Sequence, residues 1–217
     1  MYANYGLGHP TTHPEFDGLV DELLKTGILL DSYNFSPKET ERWIQEDQSA
    51  VQNIEQRLSD RELLSFETLE QIKFDEAMNC NLPLELILQK DYKEFTYGKF
   101  RVAYSIILLP PSTFEHHHTA ETIEKHELHY LHERQQSGHF HMFLYQRKDG
   151  SYARESTFYS VDEELTGRLG KVLSGLKMER TSRKLASGLE VEHWVDPSSV
   201  ISRKIVDKEI NLKLLSV

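Results

Sequence analysis

Five of the eleven histidines in this 217-residue chain stand in the run HELHYLHERQQSGHFHMFLYQ, and His116, His117 and His118 lie just upstream. An imidazole needs partners for two ring nitrogens and changes charge near neutral pH, so it is costly to use for packing alone. A metal centre is the chemistry that such a supply of ligands points to. His139 and His141, two residues apart in a segment that reads as a strand, project to one face and can offer lone pairs to a single ion. Further ligands have to come from neighbouring segments, with one position left open if the site is reactive. His132 and His129 are the first choices, followed by His126, Glu133 and, on the returning strand, Glu155. Iron or zinc, as a divalent ion, suits imidazole-rich ligation. The candidate catalytic groups are Glu133, Arg134 and Tyr145; Glu133 with His139 is also an acid–base pair that needs no metal, and Tyr145 reads equally as pocket wall.

How these residues meet depends on residues 119–134, whose pattern fits two structures. Thr119 to Ile123 opens like a helix, whereas Leu128 to Arg134 reads equally as a strand paired with His139 to Tyr145 across Gln135 to Gly138. On a helix, His126, His129 and His132 make a stripe about 120° wide. On a strand, His126 and His132 share one face and His129 takes the other. Residues 139–145 alternate as a strand, with His139, His141, Phe143 and Tyr145 on one side and Phe140, Met142 and Leu144 on the other. Lys148 to Ser151 is a turn, and Tyr152 to Val161 returns alongside. A His-x-His strand is how cupin-type barrels begin a metal site, although Gln146 stands where a glutamate is expected.

The words Tyr130-Leu131-His132-Glu133-Arg134 and Gly138-His139-Phe140-His141-Met142-Phe143-Leu144 resemble the signature of an uncharacterised bacterial family, in which a Tyr/His/Arg strand precedes Gly-His-Phe-His and an aromatic residue. The resemblance covers about fifteen residues. It implies the strand form of the first segment and groups His132, Arg134, His139 and His141, and it brings no known activity.

The rest of the chain supplies the scaffold. Pro14 opens an amphipathic helix that Gly27 should end, and Ser36-Pro37-Lys38-Glu39 is a capping signal for a long helix to about Leu58. A further helical pattern runs from Leu63 to Phe74. Aromatic and β-branched residues take over from Tyr92, with a central strand at Phe100 to Leu109 closed by Pro110-Pro111. A helix over 162–176 and a strand over 189–195 follow, and the segment from Pro197 is unassigned. The fold class is α+β: a helical N-terminal region (1–90) packed as a layer on a mainly antiparallel sheet (91–217, with a C-terminal helix), cupin-like or a partly open barrel, forming one compact unit.

Composition narrows the function classes. With 38% hydrophobic and 28% charged residues the chain is an ordinary globular protein, long enough to build a core without metal staples. A net charge of −10 argues against nucleic acid, because phosphate binding draws on clustered Lys and Arg; residues 180–184 read as solvated charges on a helix. No apolar run is long enough to cross a membrane, and Cys80 alone forms no internal disulfide, so cytoplasmic residence is the default. Walker, dinucleotide, Gly-x-Ser-x-Gly and His-Glu-x-x-His patterns are missing. Two readings result: a histidine-rich metal-binding protein, and by extension a metal-dependent enzyme acting on a small molecule, or a non-catalytic ligand-binding or protein-interaction module with a hydrogen-bonded, pH-responsive His cluster.

Overall fold

The structure is a computed structural model that describes residues 14–37, 40–59, 63–198 and 201–214. The chain divides into two compact units, Met1–Lys73 and Phe74–Val217.

The first unit is helical: α1 (Pro14–Ser32), α2 (Gln45–Arg57) and α3 (Phe66–Lys73), with a 3-10 turn at Thr40–Arg42. Its core joins Leu29, Val51 and Leu69, with Ile28, Leu30, Phe35 and Phe66 packed around them. Helix α1 runs past Gly27, because a glycine costs a helix only about 1 kcal/mol and Ile28, Leu29 and Leu30 gain more by burial. It stops where Tyr33, Asn34 and Phe35 turn to positive φ. Helix α2 starts at Gln45, later than the signal at Ser36, and the Ile44 N–H donates to the Asp47 carboxylate at 2.9 Å. Glu39, the partner in the expected capping box, lies outside the described residues.

The second unit is built on an open six-stranded mixed sheet. Its strands are β1 (Tyr92–Tyr97), β2 (Phe100–Ile107), β3 (Gly138–Gln146), β4 (Tyr152–Ser160), β5 (Glu179–Lys184) and β6 (Glu190–Val195), in the order β1-β2-β3-β4-β6-β5. All neighbours are antiparallel except β2 and β3, which run parallel. The cupin-like or barrel form is therefore overturned: β1 and β5 remain two unjoined edges. Strand β5 escaped sequence reading because ERTSRK has no apolar alternation; it is an edge strand of charged residues, not a helix surface.

Helices cover both faces. On one, Phe100, Val102, Tyr104, Phe140, Met142, Phe158 and Trp194 pack against Leu165, Leu169 and Leu173 of α8 (Glu163–Ser174) and Val206 and Ile210 of α9 (Arg203–Leu214). On the other, Ile107, Phe143, Tyr159 and Val191 meet the short helices α5 (Leu84–Gln89) and α6 (Pro111–His117) and the longer α7 (Ala120–Glu133). A third short helix, α4 (Glu76–Cys80), precedes them. The parallel β2–β3 pair obliges the chain to cross over between its strands, and α6 and α7 make that crossover.

The strand form of residues 128–134 is overturned with it. Helix α7 begins under the Thr119 side chain, which accepts from the Thr122 N–H at 3.3 Å, and ends where Gln135 turns to positive φ. Residues 135–137 therefore join a helix to β3 and are not a hairpin. Gly138 enters β3 against Phe158: an added Cβ would stand 2.3 Å from that ring and 3.1 Å from the Tyr159 carbonyl. We expect Gly138→Ala to lower the urea unfolding free energy by about 1–3 kcal/mol through overpacking.

Candidate metal centre

Helix α7 shows the sheet a stripe made of Ile123, Glu127, Tyr130 and Leu131, all buried. Three of these belong in a core by type. Glu127, with no solvent exposure, is held there by β3, which brings His139 and His141 beneath it, also fully buried. Glu127 Oε2 is 2.9 Å from His139 Nδ1, and Oε1 is 3.0 Å from His141 Nε2. The one carboxylate thus joins the two imidazoles, whose ring centroids are 4.8 Å apart.

Ser105 on β2 has one hydroxyl proton and gives it to the Leu88 carbonyl at 2.5 Å, so at 2.8 Å it accepts from His139 Nε2–H. On its other side the same ring meets the Glu127 carboxylate through Nδ1. Burial alone would raise the Glu127 pKa, but His139 and His141, with His126 nearby, outweigh it and hold the carboxyl well below its ordinary range. For His141 burial wins over the attraction of Glu127, and its pKa is lowered. Its Nδ1 is buried with no hydrogen-bond partner.

Around the cluster runs an aromatic wall. Tyr130 stacks on His139 at 5.2 Å and on His126 at 5.5 Å, and Tyr92 meets His139 edge-on at 6.3 Å. Phe114 and Tyr159 close the His141 side, at 5.8 and 4.7 Å. His126 is a partly exposed member, its Nδ1 3.5 Å from Glu127 Oε1.

The donor set fits a metal ion. Ligand atoms that share an ion at 2.0–2.2 Å stand roughly 3 Å apart, as the Glu127 oxygens do from the two imidazole nitrogens. Among the described residues this is the group of three whose donor atoms all lie within 4.8 Å of one another. Two imidazoles and a carboxylate are a ligand set used by zinc and by non-haem iron.

The structure brings together His139 and His141, keeps His126 at the margin of the cluster, and leaves His129, His132, Glu133 and Glu155 apart. His129 and His132 lie on the exposed side of α7, where His129 approaches Glu133 at 3.8 Å. A helix sends residues 127, 130 and 131 to one side and 129, 132 and 133 to the other, so they cannot share a site. Arg134 caps the aromatic wall, its guanidinium 4.6 Å from the Tyr130 ring centre and 5.3 Å from that of Tyr92. Tyr145 donates to Glu155 at 2.5 Å, and Glu155 turns to His193 instead of the β3 pair. Glu127 was missed as a ligand, yet it carried a signal: it falls four residues after Ile123 and four before Leu131, a charge inside an apolar stripe.

No family model matches the chain, and no curated protein is found to match it. Among solved structures it is similar to a putative family II inorganic pyrophosphatase from Methanococcus jannaschii, with a TM-score of 0.52 and 15% identity. The match takes in 89% of this chain and 56% of that one, so the chain spans little more than half the length of this neighbour. At such identity the likeness is one of fold. Among the described residues no helix is long and apolar enough to cross a membrane.

Acid should destabilise the metal-free protein in two steps. Unfolded histidine takes up a proton below about pH 6.5 whereas buried His141 resists it, so its contribution is present above that pH and lost as the pH falls. Glu127 acts in the same direction lower down: its contribution is full above about pH 4.3, the unfolded value, and vanishes through its depressed folded value. Urea midpoints measured from pH 8 to pH 3 should therefore hold down to about pH 6.5, fall below it, and fall further below about pH 4.3; Glu127→Ala should cost about 3–5 kcal/mol at pH 8 by stranding its partners.

Proposed function

We propose that this protein binds one divalent transition-metal ion, iron or zinc, through Glu127, His139 and His141, and uses it on a small molecule. The observation that carries the reading is one buried carboxylate with each oxygen about 3 Å from a different imidazole nitrogen. Glu127 and the two histidines would hold the ion, Ser105 would keep the His139 ring oriented through Nε2–H, and Tyr130 with Tyr92 would keep water off the ligands. Such an ion supplies a Lewis acid that lowers the pKa of bound water. The chain's own contribution is a dry, preoriented donor set whose negative charge is centred on one residue. Cytoplasmic residence remains the reading for a chain with a single cysteine.

A second reading draws on the absence of solvent exposure at all three residues and the complete pairing of both His139 nitrogens without an ion. In it the cluster is a hydrogen-bonded, pH-responsive core element of a non-catalytic module. Metal analysis of protein purified without a histidine tag separates the two. The metal reading expects about one ion per chain, lost in His139→Ala and His141→Ala and retained in His129→Ala and His132→Ala. Protein that stays metal-free after reconstitution with iron and with zinc supports the second reading.

A further inference from the structure

The same face of the sheet carries a second polar assembly. Cross-strand register places Ser105, His141, Thr157, His193 and Thr181 in one row over β2, β3, β4, β6 and β5. The row begins under Glu127 and ends at a cavity of about 220 Å³ lined by Glu115, Thr157, Thr181, Ser182, Val191 and His193. Neither the cavity nor its hydrogen bonds take part in the metal centre.

Glu155 accepts from Tyr145 through Oε1 and from His193 Nε2–H through Oε2, the latter at 3.0 Å. The bond from His193 outweighs burial and holds the Glu155 carboxyl below its ordinary range, which keeps it an acceptor. In the tautomer that gives Nε2–H to Glu155, His193 Nδ1 keeps its lone pair and accepts a hydrogen bond from the Thr157 hydroxyl at 3.1 Å. Thr157 therefore faces the cavity with lone pairs only, made more basic by the chain of bonds behind it. Glu115, which also lines the cavity, adds a carboxylate. A hydroxyl, an imidazole and a carboxylate in line resemble a nucleophilic triad, but Thr157 sits in an interior strand paired on both sides. Its backbone amide is committed to the sheet, and no oxyanion hole can form around it.

We propose that this cavity is a binding site for a small hydrogen-bond donor, a polyol or amino alcohol, whose O–H and N–H groups are received by Thr157 and Glu115. Its volume, below the roughly 300–1,000 Å³ of pockets for drug-sized ligands, suits a small occupant. The site stands independently of the metal.

The test uses the full chain and 2-amino-1,3-propanediol as probe, with malonate, similar in size but rich in acceptors, as the counterpart. Histidine ring resonances are followed by NMR and heats by calorimetry. The expected result is saturable movement of the His193 signals with the probe and none with malonate. Glu115→Gln, on an exposed helix position, and the near-isosteric Thr157→Val should each weaken the probe about tenfold, with unchanged melting curves showing that the fold is intact. The proposal is overturned if the probe leaves the His193 signals unmoved at millimolar concentration, if malonate binds as well, or if both folded variants bind the probe like the parent.

Discussion

A carboxylate with no access to water organises this protein. Taking Glu127 out of solvent costs several kcal/mol, and the interior recovers that only if both oxygens find partners with good geometry. His139 and His141 are those partners, and they fall under Glu127 only if α7 lies across β3 in one register. A shift of β3 by one residue would turn both imidazoles to the opposite face and leave the carboxylate stranded. The same three side chains that could hold an ion therefore also hold the helix to the sheet.

The sheet serves two purposes on its two sides. Against α8 and α9 its face is aromatic and aliphatic, from Phe100 and Tyr104 to Trp194, and provides apolar burial. The other face has apolar ends, Ile107 and Phe143 among them, but a polar row crosses it from Ser105 to Thr181. Each polar group there has to be answered by another, which is why Ser105 reaches the Leu88 carbonyl and His193 is held between Glu155 and Thr157. The α8/α9 face has its own paired polar groups, Glu192 with Arg180 and Trp194 and Tyr97 with Tyr104 and Asp207, but they stand singly among apolar side chains and form no continuous row. The fold-level likeness to a pyrophosphatase structure says nothing of this row, since function resides in a site and not in an architecture.

Much of the local structure was legible in the chain. Alternation placed β3 and put His139 and His141 on one face with Phe143 and Tyr145, and the turn at Lys148 to Ser151 placed the returning β4. The strongly amphipathic α8 was equally readable from its leucines. Local periodicity failed where a segment fitted two periods, as in residues 128–134, or had none, as in β5. The open sheet in place of a barrel also lay beyond it, because closure depends on which edges meet and not on the alternation of any single strand.

By itself, the sequence determined that two imidazoles share a strand face, since this follows from a two-residue repeat. Only the tertiary structure decided their partner. A helix repeat sends Glu127 inward and His129, His132 and Glu133 outward, and the parallel crossover from β2 to β3 then lays that inward side over the histidines. Proximity along the chain favoured His132; the direction in which side chains leave a helix favoured Glu127.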